Sequence, residues 1–136
     1  MRFVDTNILL YRVSTDPLER RKQEVAATIL VSRDLCLSVQ VLQEFYVQAT
    51  RPSLPDPISH ADALALIRSW KRYPVQVMDV ELVERALSAK ERWQLSYRDA
   101  AILEAARASE CELLLSEDLN HGQDYDGVSV VNPFLD

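Results

Sequence analysis

Residues 3–11 read FVDTNILLY. Phe3 and Val4 are an apolar, strand-forming pair, Asp5 closes the run with a charge, and Asn7 to Val13 reads as a brief helix. A strand this short that ends in an acid and turns directly into a helix opens a β–α unit. The same order returns along the chain. Leu35-Cys36-Leu37 runs into Ser38, a residue suited to cap the helix that carries Glu44. Val75-Gln76-Val77-Met78 precedes a long helix from about Val80 to Trp93, with Val83, Ala86, Leu87 and Trp93 near one face. Leu113-Leu114-Leu115 runs into Ser116-Glu117-Asp118, and Val128-Ser129-Val130-Val131 is the last strand. Further helices begin at Asp16-Pro17-Leu18-Glu19, at Ser59-His60-Ala61-Asp62 (to about Lys71) and at Ser96 (to about Ser109). Short, almost wholly apolar strands alternating with helices indicate an α/β fold whose parallel sheet is buried on both faces. In such sheets ligands bind beyond the carboxyl ends of the strands, near the switch in strand order.

The rest of the composition narrows the class. The chain has 136 residues, 48% hydrophobic and 26% charged, which suits one globular domain over residues 1–136. No apolar run approaches the roughly 18 residues of a membrane span, and Asp5 falls where the apolar core of a signal peptide would continue. Cys36 and Cys111 are far apart, sit in apolar runs read as strands, and are expected to be buried, reduced thiols in a cytoplasmic protein. Arg51-Pro52-Ser53-Leu54-Pro55-Asp56-Pro57 reads as an exposed loop. The formal charge is −6, so the basic footprint usual for nucleic-acid binding is absent. The clusters Arg20-Arg21-Lys22, Arg68 and Lys71-Arg72 read as solvated helix faces.

Two segments deliver acids to the same sheet edge: Asp5-Thr6-Asn7 after the first strand and Ser116-Glu117-Asp118 after the fourth. Either alone suits a turn or helix cap; together they point to a site. Asp99 lies three, four and seven residues before Ile102, Leu103 and Ala106, so it shares a core-facing helix side where an idle acid is costly. It is also the third residue of a capping box, Ser96-Tyr97-Arg98-Asp99, and both roles can hold. Glu44 falls beside Gln40 and Gln48, off the apolar stripe of its helix, and periodicity alone reads it as solvated.

Clustered carboxylates repel one another, and divalent cations relieve the repulsion. Mg²⁺ and Mn²⁺ prefer such oxygen ligands and can activate water against a phosphodiester without a histidine base or a nucleophilic side chain. His60 and His121 have no Cys or Ser partner and read as surface residues. Thr6 and Ser116 read as caps or supporting donors. Neither a Gly-rich phosphate loop nor a zinc-ligand spacing is present.

Four segments taken in order carry a resemblance: FVDTNILLY (3–11), VQVLQEFYVQATR (39–51), LSYRDAAILEAA (95–106) and LLLSEDLNHGQDYDGVSVVNPF (113–134). With them the chain resembles a PIN-domain ribonuclease of the VapC toxin type over nearly its whole length. The resemblance implies a three-layer α/β/α domain with a central, mainly parallel sheet of about five short strands. It also implies Mg²⁺- or Mn²⁺-dependent cleavage of RNA by Asp5, Glu44, Asp99 and Asp118. Asp5, Asp99 and Asp118 are expected to bind the metal, with Glu44 binding a second ion or orienting the attacking water. Thr6, Asn7 and Ser116 match the small polar residues that hold these acids in place. Glu117 is expected to point away, and Asp124 and Asp126 to belong to a loop. A homodimer, and a small antitoxin partner that blocks the cleft, are further implications.

Two other readings are weighed against this one. An acid-site phosphatase or phosphotransferase often carries a second Asp two residues after the first, and Asn7 stands there instead. A non-catalytic binding module of the same shape does not require intact acids at all four matched positions.

Overall fold

The computed structural model describes residues 1–135. Its elements are β1 (Arg2–Val4), α1 (Thr6–Arg12), a 3-10 turn (Pro17–Glu19), α2 (Arg20–Ile29), β2 (Leu35–Ser38), α3 (Val39–Ala49), α4 (His60–Trp70), β3 (Val75–Gln76), α5 (Val80–Trp93), α6 (Tyr97–Ala108), β4 (Leu113–Leu115) and β5 (Ser129–Val131). The five strands form one parallel sheet in the order β3-β2-β1-β4-β5. The chain steps outward from β1 to β3, then returns to the other side of β1. With right-handed crossovers that reversal puts α1–α4 on one face and α5–α6 on the other, the α/β/α layering expected. The switch in strand order falls between β1 and β4.

The strands are buried because helices cover both faces. Phe3, Val4, Leu35, Cys36, Leu37 and Leu114 are fully excluded from solvent, and they join one apolar core with Ile8, Leu9, Phe45 and Ile102 from the helices. Polar caps set the helix starts. Ser38 accepts from the Val41 amide, Ser59 from Asp62, Asp79 from Leu82 and Ser96 from Asp99. Register then fixes the site: Val4 pairs with Leu115, so Asp5 and Ser116 leave the sheet side by side at its carboxyl edge.

Several expectations need correction. β3 ends at Gln76 rather than Met78. Among the described residues it pairs with Leu37 and Ser38 of β2, and β2 stops there because Ser38 caps α3. The buried face of α5 is Leu82, Ala86 and Ala89, with Leu87 exposed, because α5 packs on the small residues Ala100 and Ala101 of α6. The segment begun by Asp16 opens as a 3-10 turn before α2, and Leu18 stands almost fully in solvent with no core to hold it. Cys111 is buried but lies between α6 and β4, not in a strand; both cysteines are free. The proline-rich stretch is a loop without helix or strand, as expected. No helix among the described residues is long and apolar enough to cross a membrane.

Candidate active site

Four segments deliver acids to the carboxyl edge of the sheet at the switch point. Asp5 follows β1 and is fully buried. Its Oδ1 accepts from the Thr6 amide at 2.6 Å, which starts α1, and its Oδ2 accepts from Ser116 Oγ at 2.7 Å. Ser116 Oγ also accepts from the Asp118 amide at 3.1 Å. One buried hydroxyl thus fixes Asp5 and the turn that bears Asp118. Glu44 comes from the second turn of α3 and is partly buried, with Thr6 Oγ1 donating to its Oε1 at 2.6 Å. Asp99 lies in the first turn of α6, placed by the Ser96 cap.

Arg98 joins all four. Its Nη2 donates to Asp5 Oδ1 at 2.6 Å and Nη1 to Asp5 Oδ2 at 3.2 Å, a two-pronged contact. Its Nη2 and Nε reach both oxygens of Glu44 at 2.8 and 3.1 Å. Its Nη1 donates to Asp99 Oδ1 at 3.1 Å and pairs with Asp118 Oδ2 at 3.5 Å. Such charge-assisted, forked contacts are the strong kind.

The electrostatics follow from this packing. Burial pushes the Glu44 carboxyl up, but hydrogen bonds from Arg98 and Thr6 outweigh it and hold the group below its usual range. Asp118 goes the other way: burial and then the Asp5 charge raise it above the ordinary aspartate value. Burial alone would lower the Arg98 guanidinium, yet its bonds to Asp5 and Glu44 raise it, so it stays a cation.

The expected site residues therefore come together, Glu44 included. Asn7 Nδ2 donates to Asp118 Oδ2 at 3.3 Å. Glu117 points away, bonded to Tyr11 at 2.5 Å and to Lys22 at 2.5 Å. Lys22 is thus not a free basic face, and Arg72 also turns inward, to the Leu30 carbonyl. Asp124 accepts from the Gly127 amide and Asp126 pairs with Arg92, both in the loop before β5. His60 bonds Tyr46 and His121 accepts from the Asn132 amide, both at the surface and away from the acids. One expectation had the wrong basis. From Ala100 to Ala106 every residue of α6 is buried, so no single face selects Asp99; the cap at the helix start aims it. Arg98 was missed, and its only signal in the sequence is a cation beside Asp99.

The donor set suits a hard divalent ion: four carboxylates converge on one cation, with no sulfur or imidazole among them. Asn7 Oδ1 and Gln40 Oε1 are buried acceptors without a partner among the described residues. Their amide nitrogens lie on Asp118 and Glu44, so these acceptors flank the acids, where a hydrated cation offers donors. As arranged around Arg98, no group of three or more His, Cys, Asp or Glu among the described residues is set to hold a metal ion.

Residues 2–123 match the family model for the PIN domain. Solved structures share the fold at low identity. A toxin–antitoxin complex from Klebsiella pneumoniae superposes with a TM-score of 0.71 at 19% identity, covering 98% of each chain. VapC20 of Mycobacterium tuberculosis, described as a sarcin–ricin-loop-cleaving toxin, gives 0.67 at 21%, covering 87% of this chain and 92% of its own. DNA-bound VapBC from Salmonella typhimurium gives 0.63 at 16%, covering 95% of each. No curated protein sequence matches the chain closely enough to count as a relative.

Proposed function

The chain belongs to the PIN-domain family, and from that premise we propose that it is a metal-dependent endoribonuclease, the toxin of a type II toxin–antitoxin pair, formed by one PIN domain over residues 1–136. The observation that carries this reading is the convergence of Asp5, Glu44, Asp99 and Asp118 from four segments upon one cation at the sheet's switch point. Four carboxylates drawn to one edge repel one another, a cost that a bound cation offsets.

In this reading Asp5, Asp99 and Asp118 hold Mg²⁺ or Mn²⁺. Such an ion would supply Lewis acidity toward the phosphodiester and help activate water for attack. The chain's own residues do the rest. Ser116 and the Thr6 amide keep both Asp5 oxygens aimed at the cleft. Thr6 holds Glu44 through its Oε1, where Glu44 orients the attacking water or shares a second ion. Asn7 steadies Asp118, the most exposed of the four acids.

Toxin status carries the remaining proposals: a cytoplasmic location, a homodimer and an antitoxin partner. A groove of about 530 Å³ lies between α1 and the proline-rich loop, where Leu10, Val13 and Ile58 stand beside the charged Asp16, Glu19 and Arg51. It suits an amphipathic segment of such a partner. The test of the main reading is cleavage of RNA with Mg²⁺ or Mn²⁺ by wild type and by Asp5→Asn. Wild-type cleavage that EDTA abolishes and the variant lacks is expected; equal activity in both sinks the assignment.

A further inference from the structure

We propose that Arg98 is a built-in competitor of the divalent metal: its guanidinium and the ion use the same carboxylates, so the ion binds only as the Arg98 side chain withdraws. The proposal rests on the metal-nuclease reading of these acids.

Geometry makes the two cations exclusive. An ion such as Mg²⁺ needs ligand oxygens at about 2.0–2.1 Å, which brings neighbouring oxygens to roughly 3 Å from one another. Arg98 Nη2 stands between an Asp5 oxygen at 2.6 Å and a Glu44 oxygen at 2.8 Å, and Nη1 between Asp5 and Asp99 at 3.2 and 3.1 Å. A guanidinium so placed spaces the acids by nitrogen-to-oxygen hydrogen bonds. They cannot close on an ion while it stays.

Withdrawal is open to it. The hydrogen bonds of the guanidinium go to side-chain oxygens of Asp5, Thr6, Glu44 and Asp99, so leaving breaks no backbone bond among the described residues. The side chain is 30% exposed and springs from the first turn of α6, next to exposed Tyr97. The exchange is also balanced in charge. Four acids at one edge need a counter-ion when no metal is bound, and Arg98 supplies it. Once the ion is in place the guanidinium is no longer required.

A competitor reduces the apparent affinity of the ion by the fraction of protein whose site is free. Removing the competitor restores it. Calorimetric titration of the full chain with Mn²⁺ is therefore expected to show Arg98→Ala and Arg98→Gln binding about tenfold tighter than wild type, within the usual range of coupling between ligands. Equal or weaker binding in both variants overturns the proposal; weaker binding makes Arg98 a support of the site instead. A wild-type readout guards against variants that fold poorly. The Arg98 Nε–H resonance, identified by its loss in Arg98→Lys, is expected to move saturably as Mg²⁺ is added. A resonance unchanged at saturating Mg²⁺ overturns the proposal. Failure of the nuclease reading looks different: Asp5→Asn cleaves RNA as wild type does. Unchanged Mn²⁺ affinity in the Arg98 variants, with cleavage still lost in Asp5→Asn, removes only the role of Arg98.

Discussion

Replacing Ser116 by alanine removes one hydroxyl that serves two acids. The site is fully buried, and alanine leaves almost no cavity, so the effect reads as hydrogen bonding. The bond from Ser116 Oγ to Asp5 Oδ2, at 2.7 Å, is charge-assisted and shielded from water; such bonds contribute roughly 1.5–3 kcal/mol. The bond accepted from the Asp118 amide, at 3.1 Å, is an ordinary one of about 1 kcal/mol. Asp5 keeps the Thr6 amide and Arg98, which places the first contribution at the low end of its range. The expected loss is about 2–3 kcal/mol, a large share of the 5–15 kcal/mol typical of a domain. Urea unfolding at pH 7 in EDTA measures it, with an unchanged denaturant slope showing that only stability moved. The decisive step is the double variant with Asp5→Asn. The two residues hydrogen-bond each other directly, so the substitutions are expected to couple by more than about 0.5 kcal/mol. Additivity, or a loss of under about 0.5 kcal/mol for Ser116→Ala, refutes the claim that this hydroxyl holds the acids in place.

Asp118→Asn is expected to raise metal-free stability at pH 7 by less than about 1 kcal/mol, because the side chain is half exposed and screened. The sign follows from the raised Asp118 carboxyl: its contribution is present at low pH and lost as pH rises through the folded-state value, so a neutral isostere is favoured at pH 7. Cleavage is expected to disappear in the same variant, and a less stable Asp118→Asn protein contradicts the repulsion described. Glu44→Gln should do the opposite. The lowered Glu44 carboxyl contributes stability above its unfolded value and loses it on acidification. Urea midpoints should therefore fall at pH 7 in the variant, with a flatter dependence below about pH 5; an unaltered pH profile rules this out. Cys36 and Cys111 are buried, and burial followed by the Cys36 contact pushes the Cys111 thiol up to about 12. A thiol reagent at pH 8 should label neither cysteine in the folded protein and both after unfolding, whereas rapid labelling of native protein contradicts the packing.

The parallel sheet was legible because its strands are short, apolar and regularly followed by capped helices, and Asp5 and Asp118 because strand ends in such sheets face the ligand edge. Their adjacency needed the register of Val4 on Leu115, which no local pattern carries. Glu44 illustrates the limit of periodicity. A helical wheel separates core from non-core but does not distinguish solvent from a polar cleft, and only the fold brings Thr6 Oγ1 to Glu44 Oε1. Resemblance supplied what the wheel could not. Arg98 escaped both. Its importance depends on a long side chain reaching back from the start of α6 to acids 93 and 54 residues away. The length of β3 was overread because strand propensity says nothing of whether a partner strand continues. On α5, Ala86 and Trp93 pack inward as expected but Leu87 is exposed, because the small residues of α6, rather than the largest apolar residues of α5, decide the contact.

Anomalous scattering from crystals soaked in Mn²⁺ locates the ion that these acids would hold. A strong peak is expected among the carboxylates of Asp5, Asp99 and Asp118, at about 2.1 Å from their oxygens, in protein that cleaves RNA under the same ionic conditions. No peak there at saturating Mn²⁺, with Asp5 still paired to Arg98, contradicts the account.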